Sequence, residues 1–429
     1  MKNFVLLPNQ LFESKFLDKN KNYIIWEHPH YFKDYKYNQK KLLLHKGSME
    51  YYYDYLKKKK FNVKYVNYDK KFTVKEYQLF DPGNKLKLPG KYEIIDSPNF
   101  LLGKELTEKY RKKTKKFFFN SFYMWCKKEL DILPKVKSQD KLNRDSIPDK
   151  VKIPKILSNK KDNKYINIGK KFVKKNFNKN YGNIDNFIFP LTHSTAKKWL
   201  KHFVKVKLKN FGKYQDAIKK NESFMFHSLL SSSINIGLLN PLDIIEEVLK
   251  YKKKVPMNSL EGFIRQLFWR EYQKYCYTYY NFNKKNYFGN KKKLTKAWYN
   301  GTLGVEPIDD CIKKGFDTAY LHHIERLMVM GNYMNLHGLH PDEGFKWFME
   351  FSIDSYEWVM HQNVYDMVFF VSGGATMRRP YVSSSNYVIK MSNYKKTEWS
   401  IIWDKKYKVF LKKKKKKLWK FRYYFKGLK

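Results

Sequence analysis

Two adjacent histidines, His322 and His323, stand with Glu325 and Arg326 in the mostly apolar run "AYLHHIERLMVMGNYM", residues 319–334. Imidazole titrates near working pH, so a histidine in apolar surroundings suits proton transfer or hydrogen bonding to a bound molecule. Neighbouring residues of a helix point about 100° apart, so the two rings cannot face one ligand, and one of them reads as structural. An arginine in such a run needs a carboxylate. The equally apolar "FSIDSYEWVM" offers Asp354.

Three further stretches carry groups that bind. "FHSLLSSSINIGLLNP" (226–241) crowds Ser228, Ser231, Ser232, Ser233 and Asn235 beside an apolar segment. Hydroxyls and free amides at a helix start hold phosphate without adding charge; a serine-capped helix is the plainer reading. "EGFIRQLFWREY" (261–272) sets Gln266, Trp269 and Arg270 on one helical face, where an aromatic plane and polar groups can grip a flat heterocycle. Its plainer reading is a surface helix with ion pairs and one core tryptophan. "VSGGATMRRPYVSSSNY" (371–387) suits a phosphate contact or a tight inter-helix corner.

Two kinds of architecture must position these groups. Over residues 1–130 strand-like "NFVLLP", "NYIIWE" and "FNVKYVNY" alternate with the helix-like "YNQKKLLLHKGSMEYYYDYLKKK", which predicts a Rossmann-like α/β domain with a parallel sheet. Residues 131–190 lose periodicity and gain Pro, Lys, Asp and Asn, and read as a long connector. From 191 to 429 the spacing is helical, which predicts an all-α domain. The fold class is thus α/β plus all-α.

The formal net charge of +48 points to a polyanionic partner, although lysines on solvated faces account for part of it. Cys126, Cys276 and Cys311 are widely spaced and form no metal-binding set, which fits a reducing compartment. The start "MKNFVLLPNQ" has too short an apolar stretch for a signal peptide, and no run is long enough for a membrane span. The expectation is a soluble intracellular protein, in cytoplasm or nucleoid, or in the nucleus of a eukaryotic host. The tail "LKKKKKKLWKFRYYFKGLK" reads as a solvated end, or as a nuclear-targeting or DNA-contacting segment.

Taken in order, "KYNQKKLLLHKGSMEYYYDYL", "DKLNRDSIP", "FGKYQDA", "HSLLSSSINIGLL", "EGFIRQLFWREY", "YLHHIERLMVMGN", "FSIDSYEWVM" and "RRPYVSSSNYVIKMS" resemble the cryptochrome and photolyase family. The resemblance is strongest to its prokaryotic branch of iron-sulfur (6-4) photolyases and photolyase-related proteins. It implies an antenna domain followed by a helical FAD-binding domain, and light-driven electron transfer to a pyrimidine dimer flipped out of UV-damaged DNA, with the (6-4) photoproduct favoured. A monomer is expected.

Carried over residue by residue, the resemblance gives Ser228, Ser231 and Asn235 to the flavin diphosphate segment, and Gln266 and Arg270 to the flavin lining. Trp269 would touch the lesion. Arg326 and Asp354 match a buried ion pair beside the isoalloxazine, and Asn363 a side chain near flavin N5. His323 matches the active-site histidine, with His322 beside it as a further candidate; Leu327 stands where animal enzymes carry a second histidine. Trp347 matches an electron-relay tryptophan, Trp298 is a candidate to extend that relay, and Trp358 reads as core.

Two departures matter. The branch's cluster cysteines are missing, because "VIKMSNY" runs into "KKTEWSIIWDKKYKVF", so no iron-sulfur cluster is expected. Trp399, Trp403, Tyr407 and Phe410 should hold that lobe instead. "RQLFWRE" is also one residue shorter than the branch's pattern. Glu27 lies where the branch contacts a lumazine antenna. The alternatives are a cryptochrome-like blue-light photoreceptor without repair, and a basic nucleic-acid-binding protein that has lost its flavin.

Overall fold

A computed structural model of the chain describes residues 2–425 and 428. Strands β1 (Asn3–Leu6), β2 (Asn22–Trp26), β3 (Val63–Val66), β4 (Glu76–Phe80) and β5 (Lys91–Ile95) form one parallel sheet in the order β3-β2-β1-β4-β5. Phe4 lies opposite Tyr23 on one side and Gln78 on the other. Val5, Leu6 and Ile25 are completely buried, as expected for central strands of a sheet covered on both faces. Sequence reading missed β4 and β5. The edge strand β5, "KYEII", is almost wholly exposed and so has no apolar period to find.

Helix α1 (Gln39–Lys58) covers the sheet, capped by Asn38, whose side chain accepts from the Lys40 N–H at 2.9 Å. The stretch read as a connector contains helix α2 (Asn163–Asn176), packed on α1. Its inward residues Ile166, Gly169 and Val173 do recur at helical spacing. Lysines on the other faces had masked that period. At the crossing, a Cβ on Gly169 would lie 2.9 Å from the Leu43 side chain and 3.0 Å from the Leu43 carbonyl oxygen. One on Gly47 would lie 2.9 Å from the Tyr165 carbonyl oxygen. The two glycines let the helix axes close up.

The second half is helical and shares one hydrophobic core with the first. Its principal helices are α3 (Met257–Tyr279), α4 (Pro341–Phe351) and α5 (Glu398–Leu418). Three segments among the described residues, Phe203–Lys207, Glu325–Gly331 and His361–Val368, are wound with wider π turns. Such turns are rare and concentrate at functional sites. The halves are joined by main-chain bonds from Asn38 N–H to the Glu350 carbonyl at 2.7 Å and from Leu11 N–H to the Ile236 carbonyl at 2.9 Å. Buried Lys41 adds a bond to the Ser355 carbonyl and lies against the rings of Tyr37 and Tyr356. Burial brings its pKa down to about 7.

In the C-terminal lobe Trp399, Trp403 and Phe410 are buried and Tyr407 packs partly buried against the core. The Trp403 indole N–H donates to the Ser383 carbonyl at 3.1 Å. Cys126, Cys276 and Cys311 are buried free thiols. Among the described residues, no three His, Cys, Asp or Glu side chains are grouped to hold a metal ion, and no helix is long and apolar enough to cross a membrane.

Alanine ordinarily favours a helix over glycine by about 1 kcal/mol. Gly169→Ala is expected to do the reverse, costing about 1–3 kcal/mol through overpacking against Leu43. The exposed Lys171→Ala should be neutral or mildly stabilising, and urea unfolding of both variants checks the sign.

Candidate functional site

The turn that follows α4 delivers Asp354 into the helical half, where it is buried. Its Oδ1 lies 2.9 Å from Arg326 Nη1 and accepts from the Ser352 hydroxyl at 2.5 Å. Its Oδ2 accepts from the Ser231 hydroxyl at 2.6 Å, and its main-chain carbonyl accepts from Asn235 Nδ2 at 3.0 Å. Arg326 Nε completes the arrangement by donating to the Leu321 carbonyl at 2.7 Å. Burial opposes the carboxylate charge. Arg326 and the two hydroxyls more than offset this and hold the pKa below the ordinary aspartate value.

The histidine pair splits. His322 is buried with its ring stacked on His227, centroids 4.6 Å apart and planes at 16°, and neither ring nitrogen has a hydrogen-bond partner. Burial keeps its pKa well below the ordinary value. His323 has an exposed side chain, yet the surrounding protein desolvates it and, with the Arg326 charge, lowers its pKa to about 4. Arg326 follows one helical turn on, on the same side.

Other polar groups nearby are unpaired. Asn363 donates to the Val359 carbonyl at 2.8 Å, but its buried Oδ1 accepts nothing. The buried hydroxyls of Ser232 and Ser233 are likewise without partners. Ser228 Oγ accepts from the Leu230 N–H at 3.4 Å. The π-wound segment carrying Asn363 packs on α3 and on the segment carrying Arg326, so these groups come from adjoining walls. Buried polar atoms are normally satisfied, and a cluster of exceptions marks a place for a polar ligand.

On α3, Gln266 is partly buried and donates to the Gly262 carbonyl at 3.3 Å. Trp269 is also partly buried and stacks on Phe119 at 3.6 Å with planes 10° apart. Arg270 is engaged by protein: Nε donates to Asn235 Oδ1 at 3.1 Å, and its two terminal nitrogens donate to Asn99 at 2.6 and 2.7 Å. It also lies against the rings of Phe100 and Trp358. Glu271 accepts the Leu101 and Leu102 N–H groups at 3.0 and 3.1 Å, and burial raises its pKa to about 7. Arg270 and Glu271 therefore clamp residues 99–102 of the α/β half onto α3. That clamp, the His227 stack and Phe119 escaped sequence reading, since each depends on contact between segments far apart in the chain.

Trp347 and Trp298 are fully buried, and the Trp347 indole N–H donates to the Trp298 carbonyl at 2.7 Å. Phe351 bridges them to the ion pair, 4.6 Å from the Trp347 ring and 5.4 Å from the Arg326 guanidinium. Beyond Trp298 come Tyr333 at 6.2 Å and then Trp403 at 5.2 Å. Trp358 is fully buried. Glu27 is also buried, and its carboxylate accepts from Lys46 at 2.8 Å, the Tyr65 hydroxyl at 2.6 Å and the Tyr68 N–H at 3.0 Å.

Asp354's lowered pKa contributes stability above the ordinary aspartate range, and that stability is lost as pH falls through the folded value. Arg326→Met strands the carboxylate, and the expected cost at pH 8 is about 3–5 kcal/mol. Because protonation then relieves the stranded charge, the deficit should shrink at pH 5. Urea titrations at the two pH values measure it.

A family model described as deoxyribodipyrimidine photo-lyase-related protein matches residues 4–81 and 72–189. The (6-4) photolyase of Agrobacterium fabrum is 37% identical over 227 residues, covering 52% of this chain and 45% of that protein, so the chain matches less than half of that relative's length. Among solved structures, a bacterial class III photolyase from Agrobacterium tumefaciens superimposes with a TM-score of 0.56 at 14% identity, covering 91% of this chain and 86% of the other. A Synechocystis cryptochrome superimposes at 0.55 and 13% identity, over 86% and 82%. At those identities the structures speak for the fold. With the family model and the (6-4) photolyase alignment beside them, residues 4–189 match the deoxyribodipyrimidine photo-lyase-related family, and the parallel sheet and helical half together have the fold of photolyases and cryptochromes.

Proposed function

We propose that this protein is a light-driven DNA repair flavoprotein, a photolyase that splits UV-induced pyrimidine dimers, with (6-4) photoproducts as its lesion. The observation that carries the reading is His323: an exposed imidazole with no protein partner, one helical turn from the buried Arg326–Asp354 pair. A core histidine that served packing alone would be enclosed, as His322 is.

The donor set fits FAD. The hydroxyls of Ser232 and Ser233 and Asn363 Oδ1 are buried and unpaired, so a ligand with phosphate oxygens and ring N–H groups would satisfy them. Ser228 and Ser231 flank that serine turn, and Asn235 fixes it to the Asp354 carbonyl. When bound, FAD supplies the light-driven transfer of one electron to the lesion.

The remaining work falls to side chains of this chain. Asp354 neutralises Arg326 and so keeps a fixed guanidinium, the pair carrying little net charge, one helical turn from His323. Trp269, backed by Phe119, presents a flat surface against which an extruded base can stack. His323, neutral at working pH, has one N–H and one lone pair, and can hold a hydroxyl of the lesion while moving its proton between neighbouring atoms. Trp347 and Trp298 offer oxidisable indoles joined to the ion pair through Phe351.

His323→Ala is expected to retain flavin absorbance but to lower (6-4) repair under blue light by about 10²–10⁴-fold, the usual contribution of a positioned acid–base group. If flavin-loaded, photoreduced wild-type protein splits neither (6-4) products nor cyclobutane dimers, the repair reading is sunk and the photoreceptor reading takes its place.

A further inference from the structure

The lysines at and just beyond the end of α5 divide into two sets. Lys414, Lys417 and Lys420 spend their ammonium groups on the main-chain carbonyls of Phe288, Tyr287 and Gly373. The Tyr287 hydroxyl answers by donating to the Lys417 carbonyl at 2.7 Å. Lys412, Lys413, Lys415 and Lys416 are exposed and hydrogen-bond to nothing among the described residues. No Asp or Glu follows Asp404, which is itself occupied by Ser385 at 2.8 and 2.9 Å. Like charges one helical turn apart repel. The three tethers therefore hold a self-repelling cationic face against a folded surface.

Where α5 ends, the chain presents Trp419, Tyr423 and Tyr424 at 49%, 76% and 55% exposure. Arg422 lies over Trp419 and Tyr423. Arg379 lies 4.6 Å from the Tyr424 ring, which returns the strip to the 371–387 loop. The adjacent Arg378 lies 4.2 Å from Phe118, whose neighbour Phe119 backs Trp269. Cations and open aromatic faces thus run from the candidate lesion pocket to the free lysines. Lysines neutralise phosphates, and exposed rings interleaved with arginine stack on nucleic-acid bases and sugars.

We propose that this strip is a second DNA-contact surface, which takes the DNA flanking the lesion: phosphates on the four free lysines, sugars and bases against Trp419 and Tyr423. Its direction rests on the repair reading, since that reading puts the lesion at Trp269. The four lysines lie within about 6 Å of helix, which matches two to three phosphates.

The test uses the full flavin-loaded chain and the variant Lys412→Gln/Lys413→Gln/Lys415→Gln/Lys416→Gln, with an undamaged 30-base-pair duplex titrated by fluorescence anisotropy from 50 to 200 mM salt. The expected result is a fall of about 2 in the slope of log affinity against log salt, at about 0.9 for each phosphate that the variant no longer neutralises. A matching Lys→Arg variant should keep the wild-type slope, and unchanged thermal unfolding shows that the lobe remains folded. Equal slopes for wild type and the glutamine variant overturn the proposal. So does weakened binding to phosphatidylserine vesicles with the DNA slope unchanged, which would make the strip a membrane surface. Lesion splitting is assayed at saturating DNA on the same samples: absent repair with a changed slope sinks the repair reading and leaves the DNA surface standing.

Discussion

The interaction between Asp354 and Arg326 organises the helical half of this molecule. An ion pair taken out of water is worth keeping only when further hydrogen bonds complete both partners. Asp354 meets that condition with Ser352 and Ser231, and Arg326 with the Leu321 carbonyl. The Asp354 carbonyl then fixes Asn235, Asn235 holds Arg270, and Arg270 holds Asn99 in the α/β half. One buried charge therefore sets the relative positions of the serine turn, a π-wound segment and the junction between the two halves. The unpaired polar groups have fixed addresses because this network leaves their backbones little freedom.

The legible parts of the sequence were those in which side-chain chemistry and local period agreed. "NFVLLP" and "NYIIWE" announced buried strands because a parallel sheet covered on both faces demands unbroken apolar runs. Arg326 announced Asp354 because an arginine among methionines and leucines has few ways to be neutralised. Helical spacing alone separates the two histidines, and the structure encloses His322 while leaving His323 accessible. Other features lacked a local signal. The clamp of Arg270 and Glu271 on residues 99–102 joins positions about 170 apart in the chain, and neither partner is unusual by itself. Helix α2 was hidden by composition, since lysines crowd the helix and blunt the contrast between its faces.

The same excess of lysine makes net charge a poor guide to where a polyanion would sit. Buried Lys41 is spent on a carbonyl and two rings, Lys46 on Glu27, and Lys314 on Glu325. These cations are structural. They tie segments together with the carbonyls and carboxylates available in a chain that holds 88 basic and 40 acidic residues. Only after such uses are set aside does the residual charge acquire a place on the surface. In the C-terminal lobe the same thrift shows in aromatic volume, with Trp399 and Trp403 buried in the core.

The π-wound segments that carry Arg326 and Asn363 give the site an economy of another kind. A π turn is a helix that has absorbed one extra residue without lengthening its axis in proportion, and a return to α winding rotates the succeeding residues by about 100°. Arg326 lies in one such segment and Asn363 in the other. These segments thus hold their slack as surplus winding inside packed helices, with no loop needed to store it. Small rotations of these side chains about a helix axis are available while the surrounding core, and the strands behind it, stay where they are.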